Sequence, residues 1–227
     1  MITTDVTGKR RTITLDRPER KNALTREGLD ELHEAVADAT ESVLYLHGAG
    51  DAFCAGADLD TVGSLDEETA AGFAEQGQDV ARALEQYDGT VVAGIDGPAR
   101  GGGVELALAC DLRIATPAAT FAESGVTLGL FGAWGGTARL PRIVGEGAAL
   151  DIALSGRVLD ATEARDCGLC SRIVEEPRTV AESLAENDPT AMRRIKERIR
   201  DTDPDAEQER REREAFAELI AAFDGQS

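Results

Sequence analysis

The chain has 227 residues, 42% of them apolar, which is enough for one globular domain with a substantial buried core. Its 43 acidic residues against 24 basic ones give a formal charge of -19, which argues against nucleic acid and anionic membrane surfaces as partners, because a polyanion is repelled. Lys9, Lys21 and Lys196 are the lysines in a basic set dominated by arginine, and aromatics make up 4%; this skew resembles proteins of halophilic cytosols, where molar salt screens self-repulsion.

No basic start followed by an apolar run opens the sequence, and no segment approaches the apolar length of a membrane span, so a cytoplasmic location is expected. Cys54, Cys110, Cys167 and Cys170 are too scattered for a disulfide framework. Cys167 and Cys170 have the spacing of half a zinc site, but no second pair exists and His33 and His47 lie far away in sequence. All four read as small apolar side chains, with no metal expected.

Thr12 to Leu15 alternates as a strand and runs into the turn signal Arg17-Pro18; Thr25 then caps a helix carrying His33 and Val36. A strand from Ser42 to His47 follows. Gly48, Gly50 and Gly56 punctuate a loop before a helix from Glu67 to Gln86, which carries Phe73, Val80 and Leu84 at helical spacing. Val91 to Ile95 is the next strand, Asp96-Gly97-Pro98 a turn, and Val104 to Cys110 a short buried helix whose one carboxylate is Glu105. Strands at Asp111 to Ala115 and near Thr120-Phe121 complete the β-α-β-α-β alternation of a layered α/β fold. From Trp134 onward the pattern is mainly helical, including Gly145 to Leu154, Ala161 to Cys167 and Asp205 to Phe223, and charge density rises after Glu175. No internal repeat is visible.

Two glycine turns, Cys54-Ala55-Gly56-Ala57-Asp58 and Arg100-Gly101-Gly102-Gly103, each follow a strand and precede a helix. Free N–H groups at such turns suit negative charge, and two of them facing one pocket would hold the oxygen of a carbonyl as it becomes an enolate. Close packing explains such glycines equally well.

Longer motifs add a resemblance. Leu15-Asp16-Arg17-Pro18 through Asn22-Ala23-Leu24, Ala52-Phe53-Cys54-Ala55-Gly56-Ala57-Asp58-Leu59, Ile95-Asp96-Gly97 through Gly103-Val104-Glu105-Leu106, and Gly135-Gly136-Thr137-Ala138-Arg139-Leu140 occur in that order. With Gly156-Arg157 and Glu163-Ala164 they span most of residues 12 to 175, and together they resemble the enoyl-CoA hydratase/isomerase (crotonase) family. The resemblance implies an α/β fold, a crotonase-like (ββα) spiral core over residues 1–175 with a C-terminal helical oligomerisation region over 176–227. It implies a CoA thioester as substrate, no permanently bound cofactor, and a homotrimer or dimer of trimers.

By motif position the resemblance makes Ala57 and Gly102 the oxyanion hole and Glu105 one of the two catalytic glutamates of family hydratases. A partly desolvated glutamate has a raised pKa, which suits proton exchange near neutral pH. Ala23, Ala55, Gly56 and Asp58 fall on the substrate-binding side of the first turn, and Gly101, Gly125, Phe131 and Trp134 on that of the second. Asp58 also reads as a helix N-cap, Trp134 as core packing, and Asp111 and His47 as structural. No serine nucleophile motif lies beside a histidine.

The second glutamate of the pattern falls on Gly125. Glu123 lies two residues earlier, a shift of roughly 6–7 Å in an extended segment, too far for an unchanged mechanism; it either substitutes through local rearrangement or is a surface or structural polar residue. Relatives resembling dihydroxynaphthoyl-CoA synthase also carry glycine here and use a bound bicarbonate as base, whereas double-bond isomerases keep the second carboxylate and lose the first. Hydration of a 2-enoyl-CoA is the expected reaction. The alternatives are another enolate reaction (isomerisation, decarboxylation, C–C hydrolysis or anion-assisted synthesis) or a non-catalytic scaffold or RNA-binding relative.

Overall fold

The computed structural model describes residues 1–223, so the last four residues of the expected C-terminal region lie outside the described residues. The chain opens with an antiparallel hairpin, β1 (Ile2–Thr7) and β2 (Arg10–Leu15), turned at Gly8 with φ +60°. The sequence reading missed β1 because this edge strand is mostly solvent-exposed and carries no apolar alternation. A 3-10 turn at Pro18–Arg20 leads to α1 (Arg26–Ala37), where the Thr25 side chain accepts the Gly28 N–H as expected of a cap.

Three windings follow. The first runs from β3 (Val43–Gly48) through the Cys54 turn to α2 (Leu59–Gly63) and α3 (Glu67–Gln86). The second runs from β4 (Thr90–Ile95) through β5 (Pro98–Arg100) to α4 (Gly102–Ala109). The third runs from β6 (Leu112–Ala115) through β7 (Thr120–Ala122) and a 3-10 turn at Ser124–Leu128 to α5 (Gly136–Val144) and α6 (Glu146–Ser155). β8 (Leu159–Asp160), α7 (Ala161–Asp166) and β9 (Arg172–Ile173) then lead to the C-terminal helices α8 (Pro177–Ala185), α9 (Pro189–Ile199) and α10 (Asp205–Ala222).

The large sheet has the order β1-β2-β3-β4-β6-β9, parallel from β2 onward, and the small sheet the order β5-β7-β8. Cys54 joins the small sheet through a bridge to Ala99, so each winding contributes one segment to each layer before its helix. This is a ββα spiral. It repeats in hydrogen-bond pattern and not in residue pattern, so the sequence showed no repeat.

Strand β3 reads as continuously apolar because the sheet is covered on both faces. Leu44 and Leu46 enter the main core with Phe53, Val80, Leu84 and Leu106, while Val43 and Tyr45 meet Val180 and Ala181 of α8 on the other side. The charged region after Glu175 therefore begins with a helix that closes the core. Helix α9 is tied down by the Lys196 ammonium, which donates to Tyr87 O, Gly89 O and Asp111 Oδ2 at 2.8–2.9 Å. Helix α10 rests on α9 and buries no residue.

Candidate active site

The two glycine turns are held against each other by the backbone. Phe53 and Cys54 N–H donate to Pro98 O, and Arg100 N–H donates back to Cys54 O at 2.9 Å. Gly56 has φ +86°, and a Cβ there would sit 2.7 Å from Arg100 O and 2.9 Å from Gly102 N, so only glycine permits the approach. Gly103 is equally constrained, since its Cβ would meet Cys54 O at 2.2 Å.

This packing leaves two N–H groups free for stated reasons. In the parallel bridge between Leu24 and Ala57, the flanking groups Gly56 O and Asp58 N make the hydrogen bonds, so Ala57 N–H is not used. Gly102 is the first residue of α4, where N–H groups have no intrahelical acceptor. Among the described residues neither N–H has an acceptor. Both residues line one cavity of about 230 Å³, together with Ala55, Gly101, Gly125 and Trp134.

Glu105 lies one turn along α4 from Gly102 and so faces the same way. It is 1% exposed, and its Oε1 accepts Trp134 N–H at 3.0 Å and Gly136 N–H at 2.6 Å, placing the carboxylate at the N-terminus of α5. Oε2 has no protein hydrogen bond and is not sealed from the cavity. A Cβ on Gly132 or Gly136 would fall within 2.6–2.7 Å of this side chain, so both glycines are needed to seat it. Burial raises its pKa; the Gly136 and Trp134 N–H groups and the Arg139 charge oppose that without cancelling it.

Trp134 resolves its two readings by satisfying both. It is 3% exposed, packs edge-on to Phe73, and fits only because Gly77 and Gly102 lack a Cβ, which would approach its ring within 2.1–2.3 Å. It also lines the cavity. Phe131 is exposed at the mouth and, with Glu105 and Gly132, lines both this cavity and a second one of about 210 Å³. That second cavity is lined by Glu105, Glu123, Val126, Leu140 and Ala149, among others.

Three of the expected substrate-binding residues are placed elsewhere. Ala23 and Gly56 line neither cavity; they shape the loop beneath Ala57. Asp58 is committed to structure: it caps α2 by accepting Asp60 and Thr61 N–H and pairs with Arg17 at 2.7 Å, which helps hold its pKa below the usual carboxylate range against burial. His47 bonds to Thr14 and Gly48, and Asp111 to Val91 N–H and Lys196, both in structural positions away from the cavities.

Glu123 is the residue before the 3-10 turn Ser124–Leu128, with φ -86° and ψ 71°, so the chain from Glu123 to Gly125 is not extended. Glu123 is buried beside the cavity that Glu105 lines. A Cβ at Gly125 would meet Leu130 O and Phe131 Cα at 3.2 Å, and Gly125 lines the cavity of Ala57 and Gly102. The turn signal Ser124-Gly125 ahead of Gly129, which has φ +72°, was the available clue.

Two N–H groups without acceptors and a buried carboxylate thus line one cavity, an arrangement suited to polarising a carbonyl oxygen. The model for "Enoyl-CoA hydratase/isomerase" matches residues 11–224. The crotonyl-CoA hydratase of Syntrophomonas wolfei is 38% identical over 173 residues, covering 74% of this chain and 66% of that protein, just under two thirds of its length. The enoyl-CoA hydratase of Bacillus anthracis superposes with a TM-score of 0.91 at 34% identity, covering 97% of this chain and 91% of the other. A Thermobifida fusca protein solved in complex with CoA superposes at 0.88 with 29% identity, covering 97% and 93%. This chain belongs to the enoyl-CoA hydratase/isomerase family, and its fold is the crotonase α/β fold with a C-terminal helical region.

Proposed function

We propose that this protein adds water across the 2,3-double bond of a 2-enoyl-CoA. The observation that carries the reading is the pair of acceptor-free N–H groups, Ala57 and Gly102, opening on the cavity that Glu105 also lines. The thioester oxygen accepts both N–H groups, which stabilise the charge it gains as the enolate forms, in a cavity where low dielectric strengthens each hydrogen bond. Glu105, fixed through Oε1 by two backbone donors, presents Oε2 to take a proton from the attacking water. Ala55, Gly101, Gly125, Phe131 and Trp134 form the walls that hold the acyl thioester.

The protein assembles as a trimer or pair of trimers in this reading. Phe216, Ile220 and Phe223 on α10 and Ile195 and Ile199 on α9 are exposed in the single chain, and such apolar groups favour a covering surface. Within the expected oligomerisation region 176–227, α9 and α10 thus carry the contact surface in this reading. The charge of -19 and the arginine-rich basic set support work in concentrated salt in a cytoplasm. Among the described residues no helix is long and apolar enough to cross a membrane.

Loss of the enoyl-thioester absorbance of crotonyl-CoA in molar KCl tests the reaction. Glu105→Gln is expected to lower kcat at least ~100-fold while calorimetric binding of butyryl-CoA persists. No turnover by the wild type, or undiminished turnover by the variant, overturns the reading.

A further inference from the structure

Glu123 is a buried carboxyl group for which the fold shows no use. It is 8% exposed, and its Oε1 is sealed with no hydrogen-bond partner. Oε2 is not sealed, and the residue lines the second cavity, which shares Glu105, Phe131 and Gly132 with the cavity of Ala57 and Gly102. A carboxylate buried for structural reasons satisfies its oxygens, as Asp58 does with Arg17 and two N–H groups.

Strand register brings it there. Parallel pairing of β5 with β7 sets Arg100 beside Ala122, and Gly101 N–H donates to Ala122 O at 2.9 Å. Glu123 therefore leaves its strand beside the Gly101-Gly102 turn, and α4 returns Glu105 to the same cavity. The two carboxyl groups converge from segments 18 positions apart in sequence (123 minus 105).

We propose that Glu123 is the second proton-transferring carboxyl of the reaction, the acid partner of Glu105, supplied from two residues before Gly125. This rests on the hydration reading. Glu105 takes a proton from water as the water oxygen bonds to C3, and the C2=C3 electron pair moves through the thioester to its oxygen, held by Ala57 and Gly102 N–H. The Glu123 carboxylic acid then gives its proton to C2; the C2–H bond forms and the C=O bond is restored. Glu105 is left protonated and Glu123 ionised, and transfer of one proton from Glu105 to Glu123 through solvent resets the pair.

The surroundings suit an acid. Burial, then the nearby Glu105 charge, pushes Glu123 up to about 8, so the proton it must donate is present at neutral pH. The other charged group lining that cavity is Glu146 of α6, also acidic; Arg139 of α5 acts on Glu105 and is paired with Glu85. Activity should therefore fall as pH rises through about 8.

The test compares the full-length wild type with Glu123→Gln, an isosteric change that keeps a neutral side chain in the cavity, and with Glu123→Asp. Crotonyl-CoA hydration is followed against pH, and exchange of the C2 protons of butyryl-CoA in D2O is followed by mass. For Glu123→Gln the expected result is a kcat lowered at least ~100-fold with KM within about 3-fold, no alkaline limb near pH 8, and lost C2 exchange with calorimetric binding retained. Glu123→Asp should recover part of the rate. A Glu123→Gln protein with intact rate, alkaline limb and exchange overturns the proposal, as does one impaired only on longer acyl chains, which would make Glu123 a tail-recognition group. If the wild type fails to hydrate crotonyl-CoA, the hydration reading falls, and C2 exchange still decides the role of Glu123.

Discussion

Helices α4 and α10 solve opposite problems. Helix α4 has eight residues, Gly102–Ala109, and every one is buried. Helix α10 has eighteen residues, Asp205–Ala222, and none is buried. The first is held by what surrounds it: its opening glycines admit Trp134 and Cys54 to the backbone, and its glutamate sits on the N-terminus of another helix. The second is held by surface charges, within the helix and to its neighbours, as where Glu218 pairs with Arg194 and Arg211 with Asp201. Arg210 and Arg211 both pair with Glu207, whose carboxyl is lowered to about 2, chiefly by the Arg210 hydrogen bond. Position in α4 is therefore dictated atom by atom, while within the single chain α10 asks for little beyond helix propensity. That contrast suits the proposed site at α4, because a site requires groups that cannot move.

Exchanging glycine and alanine between the two helices probes this difference most sharply. Alanine is the better helix former by about 1 kcal/mol, yet Gly103→Ala is expected to cost several kcal/mol, because the new Cβ would overlap Cys54 O at 2.2 Å and force apart the turns that hold Ala57 and Gly102. Chemical denaturation, with far-ultraviolet circular dichroism as probe, measures it; a stable, fully active variant would show that the two turns can separate without consequence.

An intermediate effect is expected at the junction between core and tail. Lys196→Met removes the three donors to Tyr87 O, Gly89 O and Asp111 while keeping the aliphatic stem, and should destabilise by about 1–3 kcal/mol. Asp111 keeps Val91 N–H and Arg200, so the loss is partial. Burial lowers the Lys196 pKa, with Asp111 opposing. The sign follows: the folded state holds this proton less tightly than the unfolded chain, so the ionisation of Lys196 makes its stability contribution rise with pH until the unfolded lysine also loses its proton. A variant as stable as the wild type at every pH would make α9 as loosely held as α10.

The smallest effect belongs to α10. Ala217→Gly, at an exposed position, should cost about 1 kcal/mol or less, the propensity difference alone. A loss of several kcal/mol, dependent on protein concentration, would mean that a second copy covers this helix in solution, and the comparison with α4 would then apply to the single chain only.

Much of the fold was legible from local pattern. Glu67 to Gln86 is helical to the residue, Thr25 caps α1, and the apolar strands fall within one or two residues of their expected limits, because hydrophobic period and capping act over a few neighbours. Strand β1 escaped because its exposed residues carry no such pattern. The motifs marked Ala57, Gly102 and Glu105, and these converge on one cavity.

Glu123 shows where that legibility stops. Its neighbours in sequence place it two residues from the expected carboxylate and leave open whether it substitutes there. Whether it shares a cavity with Glu105 depends on the pairing of Arg100 with Ala122, which is set by packing between distant segments. The sequence by itself determined the alternation of strands and helices, the glycines at both turns and the one glutamate of α4, since each is a local requirement of backbone geometry. Only the tertiary structure decided that Asp58 pairs with Arg17, that Trp134 wedges between two glycines, and that a second buried carboxyl shares the cavity of Glu105. The physical reason is that burial and partnership belong to the assembled layers: a residue's solvent exposure, and hence its charge, is fixed by chain segments its own neighbourhood does not contain.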